Sequence, residues 1–399
     1  MKRFARHAVV LLTLAACNEP TRPATPRSPQ ADVALSVATA CPTPANVVVT
    51  DEAGLNAALA AAQPGEVIGL GAFFGVSSHV RVTTPNVTLT CAAPGAGLFA
   101  LNTSVDFLIV VDVGGSGVAV DGLVLDGSGT TPPPTPFDIT GSTYFAGDFF
   151  GPGLAVPNVR FSNNTVTCGP GSCAFFVGTS GAVVLNNTFT HSTESATGVH
   201  LQMGIYSIEN VRVQGNTIIA TAPSTFFNFG AIRVFGGRGV VIADNVVTGP
   251  WFNSVSVTFL TQSRITGNRF TGAAANGIRL GNPNGAPLAA VQDNLISNNS
   301  ATGAGNAGVF ANQACNNVFV GNNLQGNVGN VGAIFAATTG ANTLVGNGTV
   351  VIDNGAFDCD GDGVNDPNIV TGARAVMHGV TLGRVVSDAV RTTTGLTLH

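Results

Sequence analysis

The sequence predicts an all-β solenoid, a parallel β-helix of stacked rungs with a short helix capping its N-terminal end. Three observations predict it. First, one phrase recurs eight times between residues 156 and 351: apolar, outward, apolar, two further residues, asparagine, any residue, apolar. The copies centre on Asn164, Asn187, Asn216, Asn245, Asn268, Asn294, Asn322 and Asn347. Three residues before them stand Phe161, Val184, Val213, Ile242, Ile265, Val291, Phe319 and Leu344; two residues after stand Val166, Phe189, Ile218, Val247, Phe270, Ile296, Leu324 and Thr349. The intervals of 23, 29, 29, 23, 26, 28 and 25 residues suit a coil of rungs rather than one globular core. Second, the segments alternate. In Asn210-Val211-Arg212-Val213-Gln214-Gly215-Asn216 the valines point inward and Arg212 and Gln214 outward. Third, 51 glycines, with asparagine and threonine, interrupt every apolar run within a few residues, as many short strands and tight turns require.

Residues 1–16 read as an export signal. Lys2, Arg3 and Arg6 form a basic start, and Ala8 to Ala16 a short apolar core. Leu14-Ala15-Ala16-Cys17 resembles the lipobox of bacterial lipoproteins, which implies cleavage before Cys17 and a lipid on its sulfur. The alternative is an ordinary secretory peptide with an incidental cysteine. Acyl chains contribute roughly 0.8 kcal/mol per buried methylene, so two or three hold a protein on a membrane almost permanently. Asn18, where an aspartate would suggest inner-membrane retention, favours the outer membrane or cell surface. Residues 17–44 carry Pro20, Pro23, Pro26 and Pro29 among Thr, Ala and Ser, and read as an extended tether.

Only 9% of residues are charged, against roughly 25% in an average soluble domain. After the signal, no run reaches the 18 or so apolar residues of a spanning helix. The net charge is −5 and Lys2 is the sole lysine, so a nucleic-acid partner has little electrostatic support. Apart from Cys17 there are six cysteines: Cys41, Cys91, Cys168, Cys173, Cys315 and Cys359. An even number in an exported chain suggests three disulfides, among 15 possible pairings. Cys168 and Cys173 bracket one short loop and form the safest pair; nearest-neighbour grounds alone suggest Cys41 with Cys91 and Cys315 with Cys359.

The solenoid is expected over residues 45–355. Second strands occur at Gly198-Val199-His200-Leu201, Ala231-Ile232-Arg233-Val234 and Gly277-Ile278-Arg279-Leu280. Rungs built of such strands stack about 4.8 Å apart, and stacked asparagines can form a ladder. Several also match the N-glycosylation sequon, though a ladder suits a bacterial lipoprotein better. The phrases are similar to the parallel β-helix repeats of the pectin-lyase-like superfamily, and this resemblance implies a right-handed single-stranded coil. The opening agrees: Leu55 to Ala62, then Gln63-Pro64-Gly65-Glu66-Val67-Ile68, resembles the helix and Pro-Gly-acid strand of many members. Asp51 or Thr50 would cap a helix bearing Leu55 and Leu59. Residues 128–157, with Pro132-Pro133-Pro134, Phe137, Tyr144 and Phe149-Phe150, break the pattern. They read equally as a loop over a groove or a packing flap.

Residues 356–399 are expected to form a calcium-loop-like segment and C-terminal cap. Asp358, Asp360, Asp362 and Asp366 stand at positions 1, 3, 5 and 9 with Gly363 at 6, the spacing of a calcium loop. Position 12 is Ile369, so this is no EF-hand; it resembles the aspartate-rich calcium repeats of thrombospondin type 3, and a structural Ca²⁺ is expected. A merely solvated acidic turn is the alternative.

Stacked second strands align Phe176, His200, Arg233, Ser256, Arg279, Phe310 and Phe335, with Glu194 and Gln202 flanking the histidine. Such a groove could hold an acidic polysaccharide, the arginines binding carboxylates in bidentate fashion and His200 acting as acid or base. Polar residues merely facing solvent are the competing reading. A second column, Arg160, Arg212 and Arg264, has Val183, Val241, Ala290 and Val318 on the other rungs and suits a solvated face. The aspartate pair and Gly-His-Gly of polygalacturonase-like hydrolases are missing, and Asp121 and Asp126 read as turn residues. With no lysine after the signal, lysine-based lyases are excluded while arginine-based lyase chemistry stays open. The expectation is an envelope-anchored, monomeric protein binding an extended polysaccharide; a polysaccharide lyase and a purely structural or adhesive surface protein are the alternatives.

Overall fold

The structure, a computed structural model, describes residues 41–131, 142–147, 155–191, 197–203, 208–223, 229–281 and 291–378. The export signal, Cys17 and the tether to residue 40 lie outside these. The chain coils through three long parallel sheets. Sheet A runs through 13 strands from Val47–Val49 to Ile369–Thr371, sheet B through nine from Phe73–Val76 to Ser300–Thr302. Sheet C runs from Val80–Val82 to Ala375–Met377. One rung visits all three, as Val183–Leu185, Thr188–His191 and Val199–Gln202 do. Along sheet A each strand pairs in register with its counterpart one rung on, so inward residues stack as like on like.

The inward file of sheet A is Phe161, Val184, Val213, Ile242, Ile265, Ile296, Phe319 and Leu344, all buried. That of sheet B is Val166, Phe189, Ile218, Val247, Phe270 and Ala301. This corrects the sixth copy of the phrase. Ile296, Asn299 and Ala301 take the places expected for Val291, Asn294 and Ile296. Both triplets fit one spacing, and only backbone pairing distinguishes them.

The asparagine ladder therefore runs Asn164, Asn187, Asn216, Asn245, Asn268, Asn299, Asn322, Asn347. Asn294 belongs to a second ladder with Asn317, Asn342 and Asn368, at the turn that enters sheet A. In the first ladder the Asn245 Oδ1 accepts the backbone N–H and the side-chain amide of Asn216, at 3.0 and 2.9 Å. Its own amide donates to the Val213 carbonyl and the Asn268 Oδ1. Buried polar groups need such partners. The residue before each asparagine of the first ladder is left-handed, among them Asn186 (φ 55°), Gly215 (66°), Asp244 (54°) and Gly267 (66°). Glycine is required where a side chain sits one rung earlier: a Cβ at Gly267 would lie 2.4 Å from the Asp244 Oδ1.

The helix Glu52–Ala61 caps the first rungs, with the Asp51 side chain accepting the Gly54 N–H and Leu55 fully buried. Residues 128–157 are not wholly irregular. Ser142–Ala146 is a strand of sheet C, and Tyr144 packs in the core on Phe161 and Phe176. Pro132, Phe137, Phe149 and Phe150 lie outside the described residues. Ile369–Thr371 and Ala375–Met377 continue sheets A and C beyond residue 355. The disulfides are Cys41–Cys91, Cys168–Cys173 and Cys315–Cys359. Three such bonds mark an exported protein. Among the described residues no helix is long and apolar enough to cross a membrane.

Candidate functional site

The outward positions of sheet C form one file: Val110, Phe145, Phe175, His200, Arg233, Ser256, Arg279, Phe310 and Ile334. The four polar members are aligned as the alternation predicts. Phe310 is aligned too, but the outermost aromatics are not: Phe175 replaces Phe176, and Ile334 replaces Phe335. Phe176 and Phe335 point into the core, 5.4 Å from Tyr144 and 5.5 Å from Phe319. Ala174-Phe175-Phe176-Val177 has no polar residue to mark its phase, and a slip of one residue reverses the face.

The file is not an open trough. His200, Ser256 and Arg279 are only 7%, 4% and 5% exposed, whereas Arg233 and Gln202 are half-buried. Arg233 neighbours His200 directly and lies two rungs, about 10 Å, from Arg279. Its guanidinium carbon sits 3.7 Å from the centre of the Phe229 ring, an aromatic partner that the sequence reading missed. The run Phe226-Phe227-Asn228-Phe229 just before the strand was the available signal. Burial pulls Arg233 and Arg279 down to about 10. Burial, and then the charge of Arg233, hold the His200 ring well below its usual value, so it is neutral at pH 7. The ring packs edge-on against Phe175 at 4.3 Å, and its buried Nε2 has no hydrogen-bond partner among the described residues. Glu194 lies outside those residues. Among them the one ion pair joins Arg81 and Asp112, and none involves Arg233. This arrangement can receive an anionic group. It offers a neutral imidazole and, among the described residues, no carboxylate paired with Arg233.

Near the far end, Asp358, Asp360 and Asp366 each bring an oxygen within 4.8 Å of the others. Asp362 is outside this set, and its Oδ1 accepts the Val364 N–H. The Asp358 carboxylate accepts the Gly363 and Gly361 N–H groups, and the Gly363 bond chiefly holds its pKa below the usual value. Asp366 accepts the N–H of Cys359, whose disulfide pins the loop. On sheet A, Arg160, Arg212 and Arg264 are exposed on alternate rungs, separated by Val183 and Val241. Leu295 follows on the rung expected for Ala290, which lies outside the described residues.

Coil, ladder and cap define the class: a parallel β-helix solenoid. The family described as periplasmic copper-binding protein (NosD) matches residues 157–354, a little under half of the chain. No curated protein matches the sequence. Similar solved structures include a polygalacturonase from Erwinia carotovora ssp. carotovora, 12% identical over 84% of this chain and 95% of that one, with a TM-score of 0.49. The A-module of a mannuronan C-5 epimerase from Azotobacter vinelandii is 14% identical over 84% and 96%, with a TM-score of 0.46. A DFA-IIIase from Arthrobacter chlorophenolicus A6, without its lid and in complex with GF2, is 14% identical over 82% and 88%, with a TM-score of 0.43. None of these likenesses bears on chemistry.

Proposed function

We propose that this exported β-helix, anchored to the cell envelope through a lipid on Cys17, binds an extended acidic polysaccharide at the His200–Arg233–Ser256–Arg279 file without cleaving it. The observation that carries the reading is Arg233: a cation drawn partly out of water, stacked on Phe229, with no carboxylate among the described residues to neutralise it. Desolvating a charge without a counter-ion costs several kcal/mol, and an arriving carboxylate would offset this through a bidentate pair. Gln202 is the other half-buried polar group at this point. A lyase needs a base that reaches a sugar proton, and the burial of His200 argues for binding instead. Titration calorimetry with oligogalacturonate tests it. Arg233→Gln should weaken binding by about tenfold or more, the scale of a charged hydrogen bond. Unaltered affinity would refute the site, and ultraviolet-absorbing unsaturated products that vanish in His200→Gln would make the protein a lyase.

We also propose a structural Ca²⁺ at Asp358, Asp360 and Asp366, since convergent hard oxygen donors suit that ion. Copper finds no comparable set among the described residues. Cys41, Cys91, Cys168, Cys173, Cys315 and Cys359 are all in disulfides, and the gathered ligands are carboxylates, which do not favour copper over calcium.

A further inference from the structure

We infer that sheet A is a second, separate docking face, fitted to a linear glycan that carries an acid on every other sugar. The outward file Arg160, Val183, Arg212, Val241, Arg264 alternates guanidinium and aliphatic groups rung by rung. All three arginines are exposed, and none forms an ion pair among the described residues. The Arg160 Nε is bonded to Ser162. No carboxylate occurs in the strands of this face from Arg160–Ser162 to Val318–Val320. Exposed acids border the file at Glu209, three residues before Arg212, at Asp244, which accepts from Gln214, and at Asp293; the buried Asp121, one rung before Arg160, accepts from Ser162. A basic file in a chain of net charge −5 is therefore a local choice, not an average.

The spacing selects the partner. Two rungs set the guanidinium groups about 10 Å apart. Successive sugars of an extended glycan advance by roughly one rung, so alternate acids meet arginines while the rings between them lie on Val183 and Val241. A nucleic-acid strand, with a phosphate every roughly 3.4 Å, would leave most of its charge unmatched. A polyuronate charged at every sugar would place acids over the valines.

The test uses the exported chain, with hyaluronan oligosaccharides as the alternating probe beside oligogalacturonate, a neutral cello-oligosaccharide and single-stranded DNA. Hyaluronan should bind best, and less tightly as salt rises. Arg212→Gln with Arg264→Gln should lower that affinity by roughly tenfold, about threefold for each exposed charge. The same tenfold loss should appear when the two substitutions are made in an Arg233→Gln background, which separates this face from sheet C. Unchanged melting curves would establish that the variants fold. The inference fails if the double variant binds hyaluronan as well as the parent, if DNA or the neutral sugar binds equally, or if only Arg233→Gln abolishes binding.

Discussion

His191 closes a strand of sheet B with no exposed surface, its ring 5.0 Å from that of Trp251, the only tryptophan in the chain. Burial lowers its pKa from 6.5 to about 4. The folded protein thus holds a neutral ring where the unfolded chain would take up a proton. This contribution is present in full above pH 6.5 and is lost as the pH falls from there to about 4. The loss approaches about 3 kcal/mol. The melting temperature should fall through this window, and His191→Phe should flatten the slope. Equal slopes in parent and variant would show His191 to be silent. His200 is displaced in the same direction and adds to the remaining slope.

At the scale of the element, the turn between sheets A and B combines a left-handed residue with a ladder asparagine. Replacing Asn245 by alanine removes the acceptor of the Asn216 N–H and amide, and the donor to the Val213 carbonyl, inside a buried chain of bonds. Orphaned buried groups of this kind cost about 1–3 kcal/mol each before relaxation. Asn245→Ala should therefore lower unfolding stability by about 3 kcal/mol in urea titration. A loss below about 0.5 kcal/mol, the scale of an ordinary surface change, would show that water replaces the ladder. The ladder was legible from the recurrence of asparagine, but the membership of Asn299 was not. Asn294 and Asn299 both end an acceptable phrase, and loops of different length between rungs hide which one stacks.

At the scale of the molecule, a solenoid draws its stability from neighbouring rungs, so the ends are vulnerable. The first rungs have the helix with Leu55 and the Cys41–Cys91 bond. Near the other end stand the Cys315–Cys359 bond and the aspartate loop, where Phe357 and Asp366 form a bridge beside the last strands. If the loop holds Ca²⁺, a chelator should lower the melting temperature by a few degrees through mass action. Asp360→Asn with Asp366→Asn should melt lower already and ignore the chelator. An unchanged curve for the parent would remove the ion.

The sequence by itself determined the coil, its period, the capping helix and the alignment of His200, Arg233, Ser256 and Arg279. Wherever apolar and polar residues alternate, the inward face can be only one of two, and burial chooses it. Tertiary structure alone decided the phase of Phe175 and Ile334, because adjacent apolar residues carry no alternation. It decided that three aspartates gather and Asp362 turns aside, because that depends on backbone N–H groups of the loop. It also decided that the polar file is largely covered while the arginines of sheet A stay open. Exposure of an outward side chain depends on what packs over its sheet, and no periodicity within the strand records that.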